Sequence, residues 1–431
     1  MASVTAPRGM RDFLPADKAR REHALGVLRS VYRRFGFDEI ETPVLENFDR
    51  LHSGLGGDNE KLAYNILRRG LDADALTAAA ASGDLSALTD LGLRFDLTVP
   101  LARFYASHRA ELPGVFRSIQ IAPVWRAERP QKGRFRQFVQ ADIDIIGEPG
   151  ILAEIELIAA TTRVLAELGV SGTRVRINDR RLLIGMLAGF GFAESEYESV
   201  LITIDKLDKV AAAGVIAELR ERGATAAAVD ALDQYLGSER PAAEGFTVAS
   251  IAASLPAGAD PAVIAELAEI GAAVDAARED PSAPSSLLFD PFLVRGMGYY
   301  TGPIFEIEHP ELGYSLGGGG RYDGMIGRFL GQDVPAAGFS IGFERIVDLI
   351  ALDPADAENS VVLVYDKNVA PGHLLALKNE LAARGLRVRL DKRAKNFTAL
   401  LARAADAGYG SFATVTSETA SAADLDIKPL A

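Results

Sequence analysis

Arginines stand beside acids or glycines at several points of the 431-residue sequence, in arrangements that suit a phosphate or a carboxylate. The first is Arg126, which is followed by Glu128 and by a basic turn, ERPQKGR. A guanidinium group suits such anions because its planar fork donates two parallel hydrogen bonds and does not lose its charge. A surface hairpin that carries salt bridges has the same composition, so this segment alone leaves both interpretations open.

The second arrangement is the segment LVRGMGYYTG, in which Arg295 precedes the tyrosines Tyr299 and Tyr300. Gly296 and Gly298 allow the backbone to approach a ligand closely or to adopt unusual dihedral angles. This spacing therefore predicts a ligand beside the arginine and the tyrosines. A strand edge with packed aromatic side chains is the structural alternative.

The third arrangement is the segment GFSIGFERI, which predicts a passage from a strand into a helix. Glycines there bring the backbone close to a flat ligand, and Arg345 could cover a purine or neutralise a phosphate. Close packing of the helix on the sheet, with a solvated arginine, is the alternative. The glycine run at 317–320 is a weak phosphate loop because it lacks the lysine and the serine or threonine of a P-loop.

A long antiparallel hairpin over 115–146 is predicted to position the first of these segments. On its returning strand the side chains alternate with period two. One face is apolar: Phe135, Val139, Ala141, Ile143 and Ile145. The other face is polar: Arg136, Gln140, Asp142 and Asp144. A polar ligand needs such a platform, although an ordinary half-exposed sheet alternates in the same way.

The remaining pattern predicts a mixed α/β protein with a small α/β domain at its end. An amphipathic helix is expected over 18–35, with Leu28, Val31, Tyr32 and Phe35 on one face. We expect a strand over 36–46 that stops at Pro43, helices over 70–92 and 150–168, a helical insertion over 180–285 and strands over 286–308. After a linker at 353–360, strands and helices alternate from 361 to 415, which is typical of a parallel sheet.

Composition excludes several functional classes. The chain has no cysteine, and its five histidines are scattered without ligand spacing, so we predict no metal site built from side chains. Charged residues interrupt any N-terminal apolar run, and no stretch approaches the roughly 20 apolar residues of a membrane span, which indicates a cytoplasmic protein. The net charge of −13 argues against a generic nucleic-acid binder, but cations dominate the stretches 117–136 and 384–395.

The order and combination of these segments resemble the class II aminoacyl-tRNA synthetases and, within them, the histidyl-tRNA synthetase family. The opening APRGMRDFLP matches the family's N-terminus, GFDEIETPVLE resembles motif 1, FRSIQIAPVWRAERPQKGRFRQFVQADIDIIG resembles motif 2, and GFSIGFERI resembles motif 3. LVRGMGYYTGPIFEI and GGGGRYDGMIG resemble the two histidine-specific motifs, while LGLRFDLTVPLARFYA and ITIDKLDK also match. The chain departs from the family pattern at Gly298, where an acid is usual, and at Ala127, where a histidine is frequent.

The resemblance implies roles for residues that match the motifs. The α-amino group of histidine would be held by Asp96, Thr98 and Gln140. The imidazole pocket would be lined by Asp144, Tyr299, Tyr300 and Tyr322, with Asp144 and Tyr300 bonded to the ring nitrogens. The catalytic pair, which binds the α-phosphate of ATP and the histidine carboxylate, would be Arg126 and Arg295. Further contacts to ATP would come from Glu128 and Arg345.

The resemblance also implies the fold, the cofactor and the partners. We expect an α+β catalytic domain, an antiparallel sheet flanked by helices, in two parts (1–178 and 286–352), a mainly helical insertion (179–285) and an anticodon-binding-like α/β domain (361–431). The expected substrates are L-histidine, ATP with Mg²⁺ and the histidine tRNA, and motif 1 implies a homodimer.

Two other functions compete with this reading. The non-catalytic, histidine-sensing regulatory subunit of ATP phosphoribosyltransferase shares the catalytic fold. It typically lacks the anticodon domain and the catalytic arginines, whereas this chain has residues 361–431 together with Arg126, Arg295 and Arg345. A synthetase-like ligase that charges a non-tRNA acceptor is the other alternative, and the basic turn and the C-terminal domain argue against it.

Overall fold

The computed structural model describes residues 4–52, 62–83, 86–130, 133–238, 245–278, 285–295, 298–350 and 359–430. The chain divides into two compact units, one formed by residues 1–11 and 26–349 and the other by residues 12–25 and 350–431. Helix α1, Pro15–Arg34, contributes to both. None of the helices in the described ranges is long and apolar enough to cross a membrane.

The first unit is built around an eight-stranded sheet. Its strands, with those of a smaller sheet, are β1 Asp38–Glu39, β2 Leu45–Asn47, β3 Tyr64–Leu67, β4 Thr89–Leu93, β5 Phe116–Trp125, β6 Gln137–Ile146, β7 Arg174–Asp179, β8 Leu287–Phe289, β9 Pro303–Glu308, β10 Gly317–Arg321 and β11 Ala336–Gly342. The large sheet has the order β1-β5-β6-β11-β10-β9-β7-β8 and is antiparallel except for its outermost pairs, β1–β5 and β7–β8. Strands β2, β4 and β3 form the separate antiparallel sheet.

Helices flank the large sheet and fill the connection between β7 and β8. Those of the first unit after α1 are α2 Phe48–Leu51, α3 Ala73–Ser82, α4 Thr98–His108, α5 Leu152–Glu167, α6 Arg180–Phe190, α7 Tyr197–Ile204, α8 Leu207–Glu221, α9 Ala226–Gly237, α10 Val248–Ala253, α11 Pro261–Ala276, α12 Asp323–Leu330 and α13 Phe343–Val347. The six helices from α6 to α11 agree with the helical segment predicted between 180 and 285. The antiparallel sheet with flanking helices confirms the predicted fold class.

The predicted hairpin is formed by β5 and β6, which pair along ten residues each. Ala141, Ile143 and Ile145 are fully buried, so the apolar face of β6 lies in the core. Helix α5 covers this part of the sheet and buries Leu157 and Ile158. Burial of this apolar face fixes the register, because a slip of one residue would turn every side chain to the opposite face.

The amphipathic helix near the N-terminus is confirmed, but one of its predicted core residues is wrong. Leu28, Val31 and Tyr32 are buried, whereas Phe35 is 37% exposed. Helix α1 ends at Arg34, and Gly36 follows with a φ of 83°, which turns the chain out of the helical path. The aromatic residue that reaches the core is instead Phe37, which packs against Tyr32 with ring centroids 6.2 Å apart.

The continuous strand predicted over 36–46 is also wrong. Only β1 and the start of β2 are strands, and between them the carbonyl oxygens of Thr42 and Pro43 bind a side chain. The buried Arg94 donates from Nη1 to the backbone oxygens of Thr42 at 2.8 Å and Pro43 at 3.2 Å. Since Pro43 has no N–H group, the arginine satisfies the carbonyl oxygens that a ladder would otherwise have used.

Three further segments differ from their predicted extents. The helix expected over 70–92 is limited to α3, and its last residues form β4 instead. The strands expected over 286–308 are limited to β8 and β9. The glycine run at 317–320, for which no strand was predicted, forms β10, one of the two central strands of the large sheet. It lacks the side-chain alternation by which strands are recognised, so its pattern could not predict this.

The second unit contains the predicted parallel sheet. Its elements are β12 Ser360–Tyr365, α14 Pro371–Ala383, β13 Arg387–Lys392, α15 Phe397–Asp406, β14 Ser411–Val415 and β15 Lys428–Pro429. Strand β12 pairs in parallel with β13 and β14, and the short β15 is antiparallel to β14. Val361 and Leu363 pack with α14 on one side of the sheet, and Val362 and Val364 pack with α15 on the other. Most of the linker predicted at 353–360 lies outside the described residues.

Candidate active site

Three polar side chains of β6 form the floor of the site. Gln140, Asp142 and Asp144 lie on the face opposite the apolar one, as their spacing predicts, but they are only 8%, 5% and 4% exposed. Strand β11 pairs alongside and places Ser340 opposite Asp142 and Gly338 opposite Asp144. This floor is therefore a buried polar layer rather than an open charged surface, and each of its groups needs a defined partner.

Asp144 is held by Tyr322, whose hydroxyl group donates to Oδ1 at 2.6 Å. Strand β11 leaves space for this carboxylate because a Cβ atom at Gly338 would lie 2.0 Å from Oδ1. Burial, followed by the neighbouring charge of Asp142, raises the pKa of Asp144 to about 8, although the bond from Tyr322 opposes the shift. Asp144 can therefore accept or donate a proton near neutral pH, as contact with an imidazole ring requires.

Three tyrosines cluster around Asp144. The ring centroid of Tyr299 is 4.8 Å from that of Tyr300 and 6.0 Å from that of Tyr322. Burial is the main cause that raises the pKa of all three hydroxyl groups, so they remain protonated donors. A Cβ atom at Gly320 would lie 2.9 Å from the ring of Tyr300, which explains one glycine of β10.

Asp96 lies just before α4 and has one unused oxygen. Oδ1 accepts the backbone N–H of Val99 at 3.2 Å, whereas Oδ2 is buried and has no hydrogen-bond partner among the described residues. Burial raises the pKa of Asp96 to about 6, opposed by the Val99 bond and by Arg126. Thr98 is the first residue of α4 and is partly exposed. A buried acceptor without a partner is costly in a folded protein, so it points to a missing donor.

Arg126 connects Asp96 to the floor of the site. It donates from Nε to the backbone oxygen of Phe95 at 3.0 Å and from Nη2 to Oε1 of Gln140 at 3.4 Å. Its guanidinium carbon lies 5.0 Å from the ring centroid of Phe138. The predicted contacts of the α-amino group therefore converge beside one of the two predicted catalytic arginines.

The other predicted catalytic arginine, Arg295, is held by an acid that the sequence analysis missed. Its Nη1 lies 2.5 Å from Oε2 of Glu306 on β9, and Glu306 also lies 3.5 Å from Arg176 on β7. A Cβ atom at Gly318 would lie 2.8 Å from Cζ of Arg295, so the glycine strand also makes room for this side chain. Gly296, which was predicted to allow close approach of the backbone, lies outside the described residues.

The predicted ATP contacts lie at the ends of β11 and of the hairpin. Arg345, in α13, donates to the backbone oxygen of Ser315, and its guanidinium carbon lies 5.2 Å from the ring centroid of Tyr314. The carboxylate of Glu128 lies 3.5 Å from Arg134. The sequence analysis also missed Glu344, a buried acid that accepts the backbone N–H of Val139 at 3.1 Å and pairs with Arg11.

These groups surround a cleft of about 930 Å³. Five of the predicted site residues line it: Arg126, Glu128, Gln140, Arg295 and Arg345. The remaining ones are not part of its lining: Asp96, Thr98, Asp144, Tyr299, Tyr300 and Tyr322. A smaller cavity of about 510 Å³ lies between residues 47–50 and 89–90, and no predicted site residue lines it. The cleft is thus walled by arginines and acids, with the Asp144 cluster outside its lining.

Comparison with known proteins identifies the family. A family model described as histidyl-tRNA synthetase matches residues 9–346. A histidine–tRNA ligase from Leifsonia xyli subsp. xyli is 62% identical over 435 residues, which cover 100% of this chain and 99% of that protein. The chain belongs to the histidyl-tRNA synthetase family. The resemblance inferred from the motifs is confirmed, and it extends beyond them to the whole length of a curated relative.

More distant relatives belong to the same family, and solved structures share the fold. A histidine–tRNA ligase from Christiangramia forsetii is 36% identical over 370 residues, or 83% of this chain and 80% of that protein. The crystal structure of histidyl-tRNA synthetase from Nostoc covers 100% of this chain and 95% of its own, with a TM-score of 0.77 and 24% identity.

A structure titled ATP phosphoribosyltransferase regulatory subunit/histidyl-tRNA synthetase, from Bacillus halodurans, has a TM-score of 0.74 at 21% identity and covers 96% of this chain and 99% of its own. Likeness at this identity shows the fold alone, so it does not favour the regulatory function. The 62% identical relative favours the ligase function instead.

Proposed function

We propose that this histidyl-tRNA synthetase family member joins histidine to tRNA in two steps within the cleft. In the first, a carboxylate oxygen of histidine attacks the α-phosphorus of ATP, the bond to the β-phosphate breaks, and pyrophosphate leaves. In the second, a terminal hydroxyl group of the tRNA attacks the histidyl carbonyl carbon, and AMP leaves. Positioning and charge neutralisation supply most of the rate in such chemistry.

The observation that carries this proposal is that two different sets of groups lie close together, since the charge of Arg295 in the cleft acts on the hydroxyl group of Tyr300 in the Asp144 cluster. Asp144, whose Oδ1 accepts from Tyr322 at 2.6 Å, offers a proton acceptor to a ring with two polar nitrogens, and the protonated hydroxyl group of Tyr300 offers a donor. Arg126 and Arg295 line the cleft and provide cations for a phosphate and a carboxylate. A ligand with an imidazole ring, a carboxylate and a neighbouring phosphate would use both sets.

Asp96 completes the recognition of histidine in this proposal. Its partnerless Oδ2 supplies an acceptor for the α-ammonium group, and Oε1 of Gln140, already beside Arg126, supplies a second. Thr98 would add a hydroxyl group. A cation placed there would also favour the charged form of Asp96, whose pKa burial has raised to about 6.

ATP would lie along the exposed part of the cleft, with Glu128 and Arg345 at its ends. Mg²⁺ would accompany the triphosphate, because this ion prefers oxygen ligands and usually keeps several waters. The described residues contain no cluster of three or more histidine or acid side chains that could hold a metal ion. Phosphate oxygens and water would therefore supply most of its ligands.

A homodimer and a role for the second unit belong to the same proposal. Val44, just before the three-stranded sheet, and Leu45 and Leu67 within it have apolar side chains that are 40%, 37% and 62% exposed, and a second copy would cover them. The basic run at 384–395 would bind the anticodon end of the tRNA, in the cytoplasm where tRNA is charged. Sedimentation analysis tests the dimer directly.

The proposal is tested by ATP–pyrophosphate exchange with each common amino acid. We expect exchange to depend on histidine, because a site built for hydrogen bonds rejects ligands that leave its polar groups unpaired by up to about 10⁴-fold. Equal exchange with phenylalanine or asparagine would contradict the assigned specificity. Histidine binding without any exchange would support the regulatory alternative.

A further inference from the structure

A third buried carboxylate lies in the site, and none of the roles above uses it. Asp142 stands between Gln140 and Asp144 on β6 and is 5% exposed. Its two oxygens accept hydrogen bonds from Nε2 of Gln140 at 3.2 and 3.4 Å. Burial of a carboxylate is costly unless its bonds serve a purpose, so this arrangement needs an explanation.

The bonds of Gln140 fix the direction of its side-chain amide. Its Nε2 donates to Asp142 and, at 3.3 Å, to Oγ of Ser340, while its Oε1 accepts from Arg126. An ionised carboxylate only accepts and a guanidinium group only donates, so neither contact would survive a reversal of the amide. Asp142 and Arg126 together therefore turn the carbonyl oxygen of Gln140 away from Asp142, towards the side on which Arg126 lies.

The electrostatic surroundings of Asp142 also suit a cation. The titratable and charged groups that act on it come from several elements: Asp96, Asp144, Arg126, Tyr32 and Tyr300. Burial is the largest cause that raises the pKa of Asp142 to about 7, and the charge of Asp96 adds to it. A hydrogen bond with Ser340 opposes this shift. With only Arg126 as a cation among these groups, three carboxylates crowd one buried patch, and a positive ligand group would relieve their repulsion.

We infer that Asp142 is a positioning residue for the α-ammonium group of the amino-acid substrate. It acts through Gln140, whose carbonyl oxygen it keeps directed at the ammonium group, and it adds a negative charge behind that contact. The inference rests on the proposed function, because it assumes that an amino acid enters the site with its ammonium group near Asp96 and Gln140.

Two histidine analogues separate this role from a structural one. Histidinol keeps the imidazole ring and the ammonium group but lacks the carboxylate, whereas imidazole-4-propionate keeps the ring and the carboxylate but lacks the ammonium group. The binding of each is measured by calorimetry with the full chain and with Asp142→Asn. We expect Asp142→Asn to weaken histidinol binding roughly tenfold or more, as loss of an interaction with a charged group does. Binding of imidazole-4-propionate should change less than about twofold, which is much less than the effect of losing one such interaction.

The matched control is Asp179→Asn. Asp179 is also buried but lies outside the site, where it caps α6 through the N–H of Arg181 and pairs with the Arg181 side chain; asparagine keeps the cap and, like Asp142→Asn, removes one buried charge. Neither analogue should respond to it. Equal weakening of both analogues by Asp142→Asn, or no weakening of either, would overturn the inference.

The pH dependence of the unmodified chain provides a second test that needs no folded variant. Below about pH 7 Asp142 gains a proton and loses its charge, so the affinity ratio of histidinol to imidazole-4-propionate should fall as pH drops from 8 to 7, a range in which Asp96, with a pKa of about 6, stays mostly ionised. The ammonium group of histidinol lowers the pKa of its imidazole ring relative to that of imidazole-4-propionate, so each affinity is first corrected for the ring titration measured on the free analogue. A ratio that is constant over this range overturns the inference. Failure of the proposed function would give a different result, because the unmodified chain would then show no histidine-dependent exchange.

Discussion

Arg295 is a residue of the cleft whose charge is balanced by a neighbouring acid. Glu306 lies 2.5 Å from it and orients its guanidinium group before any substrate is present. Such preorganisation is what stabilises charge that develops in a transition state. The sequence predicted Arg295 from its motif, but it could not predict Glu306 as the partner, because that contact depends on how β9 lies against the loop before it.

Substitution of Arg295 should therefore affect the rate of adenylate formation more than it affects ATP binding. We expect Arg295→Ala to slow single-turnover adenylate formation by on the order of 10²–10³. Arg295→Lys should recover little of this rate, because an ammonium group cannot reproduce the planar fork. Arg163→Ala, which removes a partly exposed arginine paired with Glu167 on α5, is the control and should leave the rate unchanged. A rate for Arg295→Ala close to that of the unmodified chain would make Arg295 a packing residue.

Asp144 should make the stability of the chain depend on pH. Its pKa is raised to about 8 by burial, whereas an unfolded aspartate titrates near 3.8, so the folded state binds more protons between these values. The free energy of unfolding should then fall as pH rises through this window. The asparagine in Asp144→Asn cannot ionise. The melting temperature of this variant minus that of the unmodified chain, measured by calorimetry, should therefore increase from pH 5 to pH 8. A difference that stays constant or shrinks over this range would contradict the assigned environment.

At the scale of elements, the hairpin could be predicted and the glycine strand could not. The sequence predicts strand β6 because Ala141, Ile143 and Ile145 alternate with polar residues, and the two faces of the strand have different surroundings. Strand β10 contains four glycines and has no such alternation, so its period is invisible. The reason for its composition is tertiary: Cβ atoms there would collide with Arg295, Tyr300 and the backbone of neighbouring strands. The predicted extent of the strand that contains β1 was wrong for a similar reason, since the side chain of Arg94, distant in sequence, binds the backbone of Thr42.

Gly338 of β11 should be as important as the glycines of β10. A Cβ atom at Gly338 would lie 2.0 Å from Oδ1 of Asp144 and 3.2 Å from the ring of Tyr322, so Gly338→Ala must displace the carboxylate. We expect the KM for histidine in pyrophosphate exchange to rise at least about tenfold, the effect of losing roughly one hydrogen bond to a charged group. The KM for ATP should change much less.

Gly189→Ala provides the control for Gly338→Ala, because a Cβ atom there would meet nothing within 4 Å and helix α6 tolerates alanine. If Gly338→Ala raised both KM values equally, the strand would support the whole cleft rather than the histidine pocket.

At the scale of the whole molecule, the acidic chain carries a local basic run in its second unit. Within it, Arg384, Arg389 and Arg393 pair with acids of the same unit, whereas Lys392 and Lys395 are exposed. The alternation of strands and helices was enough to predict this unit's parallel sheet. Its proposed binding of tRNA rests on charge and on family membership, so it remains a prediction.

Reversal of these two lysine charges should affect only the tRNA step. We expect Lys392→Glu combined with Lys395→Glu to raise the KM for tRNA and to leave pyrophosphate exchange unchanged. The salt dependence of tRNA binding should become shallower by about 0.7–0.9 per lost phosphate contact. Lys428→Glu reverses a charge on β15, at the opposite edge of the same sheet, and serves as the control. Unchanged tRNA affinity and salt dependence in the double variant would assign the basic run another role.

Transfer of an amino acid to tRNA by the purified full chain is the most direct test of the proposed ligase activity. The assay supplies ATP, Mg²⁺, total tRNA and each of the common amino acids in turn, and it measures the amino acid bound to tRNA. The structure, with its buried Asp144–Tyr322 pair beside the cleft arginines, predicts attachment of histidine alone and a loss of attachment in Arg295→Ala. Attachment of a different amino acid, or histidine-dependent exchange without any attachment to tRNA, would contradict the account.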